Sequence, residues 1–176
     1  TDEVINQFLV HHKTGEAMPA ELVAKIKNAA TFNEGFKTTE YLASAIIDLK
    51  LHMLDDPKGI DPDAFERDTL AAMGMPSQVV MRHRTPQFGH VFSGEGYAAA
   101  YYGYMWAEVL TSDAAEAFAQ APGGFYDKDV AAKLVEYLFS VRNALDPEEA
   151  YRAFRGRDAK IEALMRDRGF PLLSEQ

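Results

Sequence analysis

Helical periodicity with almost no competing strand pattern is the feature that most limits what this chain can fold into. Apolar residues recur three and four positions apart in segment after segment: Val4, Ile5, Phe8 and Leu9; Leu22, Val23, Ile26 and Ala29; Leu42, Ile46, Leu49 and Met53; Val130, Leu134 and Leu138; Ile161, Leu164 and Met165. Only Val79, Val80 and Met81 read as a short extended segment. With no internal repeat, low-complexity tract or domain linker, the 176 residues are expected to form one all-α unit spanning residues 1–176.

Proline, glycine and aspartate divide that unit into helices. The first is expected over residues 2–13, weakly capped at its start and ended near Gly15; Pro19 opens the second. Thr38, Thr39 and Glu40 lead into a third that runs to about Asp56 and stops before Pro57. Asp61 and Pro62 with Asp63 and Glu66 start a short helix to Met73, because their acids suit the positive end of the helix dipole. The helical signal then lapses over residues 74–93, the longest irregular region, which carries Arg82, His83, Arg84 and His90. An aromatic helix follows and runs through Phe118. Pro122, Gly123 and Gly124 break it, Asp127 and Asp146 begin two further helices, and Gly169 with Pro171 ends the last.

The aromatic stretch has two stripes. At about 100° per residue, Tyr97, Tyr101, Tyr104 and Glu108 fall on one face and Tyr102, Trp106 and Val109 on another. The second stripe, with Met105, is expected to be buried as in any core helix. The first stands beside a glycine-hinged loop, Ser93, Gly94, Glu95 and Gly96, and can aim hydroxyls at a ligand.

The formal charge of −9 and a pI near 5.0 exclude a phosphate backbone or an anionic membrane as the expected partner. No apolar run approaches the roughly 18 residues of a membrane span. Without cysteine, a metal would need His, Asp or Glu, and a reducing compartment, the cytoplasm, fits the composition. Of the five histidines none lies in a His-Glu-x-x-His helix, and the adjacent His11 and His12 diverge too far to chelate. Asp48 and His52, four apart, read as a structural carboxylate–imidazole pair. Phosphate-loop and nucleophile-elbow motifs are missing, and Arg155, Arg157, Arg166 and Arg168 read as solvated salt-bridge partners.

The run from His90 through Val91, Phe92, Ser93, Gly94, Glu95, Gly96 and Tyr97 to Tyr101, Tyr102, Tyr104 and Trp106 closely resembles the C-terminal part of the thimet-oligopeptidase-like zinc peptidases, especially the bacterial peptidyl-dipeptidases. Three further segments resemble the family in the family's order: Met18 to Leu22; Thr31 to Phe36 with Thr39 to Leu42; and Tyr151 to Arg157. The resemblance covers essentially the whole chain. It implies the C-terminal helical portion of a zincin-type catalytic domain whose His-Glu-x-x-His helix and glutamate zinc ligand precede the matched region. Zinc ligands would therefore lie outside this chain, with no tight metal site here and the isolated chain inactive. Its partners would be short peptide substrates and the remaining N-terminal part of the domain. Carried over residue by residue, the resemblance implies that His90, Tyr97 and Tyr104 contact the substrate and stabilise the tetrahedral oxyanion, and that Tyr101, Gly94 and Gly96 line the peptide cleft. Ala100, Asn143 with Ala144, and Ala159 depart from the family's usual glycine, glycine-containing turn and proline.

The alternative is a stand-alone, non-catalytic helical module that keeps the tyrosine cleft as a peptide groove. A purely structural domain would instead require a buried tyrosine face.

Overall fold

The computed structural model describes residues 1–172. Nine α-helices occur among them: α1 Asp2–Gln7, α2 Ala20–Ala30, α3 Glu34–His52, α4 Pro62–Ala72, α5 Gly89–Phe92, α6 Gly103–Ala119, α7 Lys128–Leu134, α8 Pro147–Arg155 and α9 Ile161–Asp167. The all-α expectation holds, since the described residues form no strand beyond one isolated antiparallel bridge, Val10 to Ala17. The chain divides into two compact units, one of Asn33–Ala107, the other of Thr1–Phe32 with the chain from Glu108 onward.

In the Asn33–Ala107 unit the core is Ala43, Ile47, Leu70, Met81, Phe88 and Val91, against which Phe65, Met75 and Tyr101 pack. Burying a side chain the size of Ile47 or Phe88 contributes about 1.5–3 kcal/mol. The core face of α3 is therefore not the expected Leu42 and Met53, which are exposed, but the neighbouring stripe of Ala43 and Ile47 together with buried Ser44 and Asp48. The small residues let other chain segments approach α3 closely, and packing rather than local periodicity decides which face is covered. Helix α3 also starts earlier than predicted, after Asn33 in the left-handed region (φ 59°), and ends at His52 instead of continuing to Asp56. The fourth helix starts where predicted, and the structure adds a cap: the Asp61 carboxylate accepts the Asp63 and Ala64 amides at 3.0 and 3.1 Å.

The irregular region outlasts the predicted residues 74–93: short helical turns and α5 interrupt it, but no long helix resumes until Gly103, and residues 79–81 form no strand. It is tied down by a carboxylate. Buried Glu66 on α4 accepts the Thr85 amide at 2.8 Å and the Thr85 hydroxyl at 2.9 Å through one oxygen, and meets Arg84 Nε at 2.5 Å through the other. Such a segment has no ladder of its own, so its backbone polar groups need side-chain partners wherever they are buried.

In the other unit α1 is half the length expected. Leu9 turns back to donate to the Val4 carbonyl, the His11 amide donates to the Glu16 carbonyl at 2.8 Å, and Gly15 takes φ 71° to close the turn. Asp127 and Asp146 cap α7 and α8 as predicted, and α7 runs on into a π-helical turn, Val135–Phe139, that packs on α8. Gly169 ends the last helix for two reasons: its φ is 70°, and a Cβ there would lie 3.1 Å from the Thr31 side chain.

The same unit corrects the reading of two arginines. Asp113 on α6 is completely buried, and its carboxylate accepts the Tyr151 hydroxyl at 2.7 Å, Arg155 Nε at 3.1 Å, and Arg157 Nη1 and Nη2 at 3.1 and 2.7 Å. Arg155 and Arg157 thus belong to an ion cluster around a buried carboxylate, whereas Arg166 with Glu116 is a surface pair of the predicted kind and Arg168, its side chain only 17% exposed, pairs with the exposed Glu108. An aspartate inside a helical apolar pattern 42 and 44 residues from its arginines offers no local signal of that pairing.

Candidate functional site

His90 is placed by its neighbours. Phe88 and Val91 are three apart and both buried in the core, so the intervening His90 on α5 is turned outward. Phe88 also meets Tyr101 edge-on with centroids 5.0 Å apart, which brings the second aromatic segment against the first.

The result is a ring of phenols around one imidazole. The His90 ring lies 4.6 Å from Tyr97, 5.7 Å from Tyr101 and 5.9 Å from Tyr104, and Tyr101 and Tyr104 meet each other at 5.6 Å. The Tyr104 hydroxyl stands 3.2 Å from His90 Nε2. Three of the four residues, His90, Tyr97 and Tyr104, are exposed, and Tyr101 is half-buried. All four sequence-predicted side chains are therefore brought together.

They do not meet in the way the periodicity predicted. Helix α6 begins only at Gly103; Glu95–Tyr97 is a single 3₁₀ turn, and Ala99 sits at φ 57°, outside the right-handed helix. Tyr97 and Tyr101 thus converge with Tyr104 through a folded loop, not along one helical face. Of the stripe expected to be buried, Tyr102 is 49% and Trp106 66% exposed, while Met105 and Val109 are half-buried. Gly94 is extended (φ 162°), and a Cβ added at Gly94 or Gly96 would meet no atom of this chain within 4 Å. Steric need within the chain does not account for those glycines.

Two residues that sequence reasoning did not assign to the site hold the loop. Asp48, 1% exposed, accepts the amides of Ala99 and Tyr101 through its two oxygens at 3.0 Å each. The Asp48 side chain is in turn 2.9 Å from His52 Nδ1, so the predicted structural pair exists but faces the loop as well. Tyr41 on the same helix donates its hydroxyl to the Tyr101 carbonyl, accepts the Met105 amide at 3.1 Å, and stacks on Tyr101 with centroids 5.2 Å apart. A carboxylate four residues before a histidine in an apolar helix was a visible signal; its loop partners, 51 and 53 residues away, were not.

Chemically the cluster offers hydrogen-bond donors on an exposed surface. With the proton on Nε2, His90 donates to the Tyr104 oxygen and leaves the phenolic hydrogen for a bound molecule; with it on Nδ1, Tyr104 donates to His90 and the ring's other N–H is available. Among the described residues no group of three or more His, Asp or Glu could hold a metal ion, so the zinc implied by the resemblance does not fit the residues present here.

Residues 1–170 match the model of peptidase family M3. The chain is 34% identical over 169 residues to the dipeptidyl carboxypeptidase of Escherichia coli (strain K12), covering 95% of this chain and 24% of that protein. The dipeptidyl carboxypeptidase of Salmonella typhimurium is 33% identical over 169 residues, 94% of this chain and 24% of the relative. Oligopeptidase A of Haemophilus influenzae is 31% identical over 163 residues, 90% of this chain and 23% of the relative. The chain thus spans about a quarter of the length of these relatives. With the family model matched from its first residue to its 170th, and with the His90 and tyrosine motif gathered at one site, the chain belongs to peptidase family M3.

Proposed function

We propose that this chain is the substrate-facing C-terminal portion of a zinc-dependent oligopeptidase of the peptidyl-dipeptidase type, which hydrolyses short peptides in the cytoplasm. The observation that carries the reading is the ring of Tyr97, Tyr101 and Tyr104 around His90, with exposed polar groups where a purely structural helix would bury them. Peptidases of family M3 are zinc-dependent in general. The described residues do not assemble a zinc site; in this reading the metal's ligands belong to the rest of the parent protein, and the chain alone turns over no peptide.

What this chain supplies is charge stabilisation and positioning. When a peptide carbonyl is attacked its oxygen gains negative charge, and a donor aimed at that oxygen lowers the barrier more than it strengthens ground-state binding. Tyr97, Tyr104 and His90 are the donors in this reading; Tyr101, Gly94 and Gly96 line the cleft and let a peptide backbone approach. A neutral phenol suits the task because it donates without attracting a counter-charge before the reaction.

The second partner is the rest of the domain. Neither α1 nor α2 contains a buried residue, yet they and the adjoining turns present Phe8, Leu22, Ile26 and Phe32 to solvent, and Phe8 and Phe32 are more than 70% exposed. An apolar surface of that kind marks an interaction face. In this reading the preceding part of the catalytic domain covers it.

The test is Tyr97→Phe and Tyr104→Phe in the complete parent enzyme. Each removes one donor and keeps the ring, so kcat should fall about 10²–10³-fold with KM nearly unchanged. Tyr102→Phe is the control, since Tyr102 makes no ring contact with His90. Equal losses in all three variants, or no loss at positions 97 and 104, would refute the assignment.

A further inference from the structure

The tyrosine ring is assembled from a backbone that has no intrinsic reason to adopt its shape. Ala99 stands at φ 57°, in the left-handed region that a Cβ disfavours, and the 3₁₀ turn of Glu95–Tyr97 precedes it without continuing into α6. A residue held in that region persists only where its surroundings over-determine it. The group that meets the amides of Ala99 and Tyr101 here is one buried carboxylate.

We propose that Asp48 is a positioning residue: by accepting the Ala99 and Tyr101 amides with separate oxygens it imposes the left-handed step at Ala99, and through that step it sets Tyr101, and the tyrosines on either side of it, around His90. Both bonds are 3.0 Å, and the acceptor is 1% exposed, so bulk water competes poorly for it. The carboxylate is itself oriented. His52 Nδ1 stands 2.9 Å from Oδ1 of Asp48 and 2.9 Å from the Asp48 carbonyl, which fixes the side chain against its own helix. Tyr41, two helical turns earlier on α3, grips the other side of the loop at the Tyr101 carbonyl and the Met105 amide. Thus α3 holds residues 99–105 at four backbone groups, while Glu66 on α4 holds the earlier shoulder of the irregular region at Thr85. An asparagine at position 48 is nearly the same size but presents one acceptor and one donor group, so it can satisfy only one of the two amides and opposes the other.

The proposal rests on the functional reading only for what the ordered ring serves; whether Asp48 orders it is read without substrate. In the full chain, proton NMR of the wild type should show cross-relaxation from the His90 ring to Tyr97, Tyr101 and Tyr104, as expected from centroids within 6 Å. Asp48→Asn should abolish the contacts to Tyr97 and Tyr101 while the core methyls of Ile47, Leu70 and Val91 keep their shifts, an outcome that general loss of structure would not produce. Unchanged His90 contacts in Asp48→Asn would overturn the proposal. If that variant does not fold, wild-type amide exchange decides: Ala99 and Tyr101 amides slowed by about 100-fold or more support the clamp, and amides exchanging as in an open loop refute it. Full kcat in Tyr97→Phe and Tyr104→Phe parent enzyme would sink the functional reading and leave the NMR result standing.

Discussion

Replacing Asp113 by asparagine should be the most damaging single isosteric change in its unit. The carboxylate is fully buried and accepts four hydrogen bonds from three residues, two of them arginines whose side chains are only 12% and 33% exposed. Asparagine keeps one acceptor and turns an amide donor toward guanidinium donors, leaving two cations without their counter-charge. Breaking a buried ion pair from one side typically costs about 3–5 kcal/mol, because the remaining charge stays desolvated. Arg157 is partly solvated and can recover some hydration, so we expect the lower part of that range, about 3–4 kcal/mol. Urea unfolding followed by far-ultraviolet circular dichroism measures it. With a slope of about 2 kcal/mol/M, the midpoint of the transition that unfolds this unit should fall by about 1.5–2 M. A fall below about 0.5 M would mean that the arginines find other partners and that the cluster is not the keystone drawn here.

The same cluster sets the expected pH response. Burial by itself raises the Asp113 carboxyl, but hydrogen bonds from Arg157 and Tyr151 and the charges of Arg155 and Arg157 outweigh it and hold the carboxyl below its ordinary 3.8. A depressed carboxylate contributes stability that is present above the unfolded value and lost as pH falls through the folded one, so the thermal midpoint should drop below pH 4. Burial first, and then the bond to Asp113, push the Tyr151 phenol above its ordinary 10.0; that stability is complete below pH 10 and lost as pH rises beyond it, and Tyr151→Phe should remove the alkaline loss. Dialysis of the chain against zinc followed by metal analysis should find no stoichiometric zinc; one tightly held ion with peptide turnover would refute placing the ligands elsewhere.

Local chemistry decided much of the fold before any packing was considered. The caps at Asp61, Asp127 and Asp146 work between residues two or three apart, so their amide bonds follow from the sequence alone. The left-handed ending at Gly169 is equally local, and the absence of a two-residue period excluded a sheet. The His90 and tyrosine motif was legible as well, as a family likeness carried by residue identities, and its members do come together.

Only the tertiary structure decided how they come together. Periodicity drew Tyr97, Tyr101 and Tyr104 on one helix, but that geometry assumes uniform backbone angles, and Ala99 departs from them because a carboxylate from a helix about fifty residues earlier accepts its amide. Burial of Ile47 in place of Met53, exposure of Trp106, and the gathering of Arg155 and Arg157 on Asp113 have the same origin. Each depends on which surfaces meet at long sequence separation, where apolar contact and charge pairing outweigh local preference, and no window of neighbouring residues contains that information.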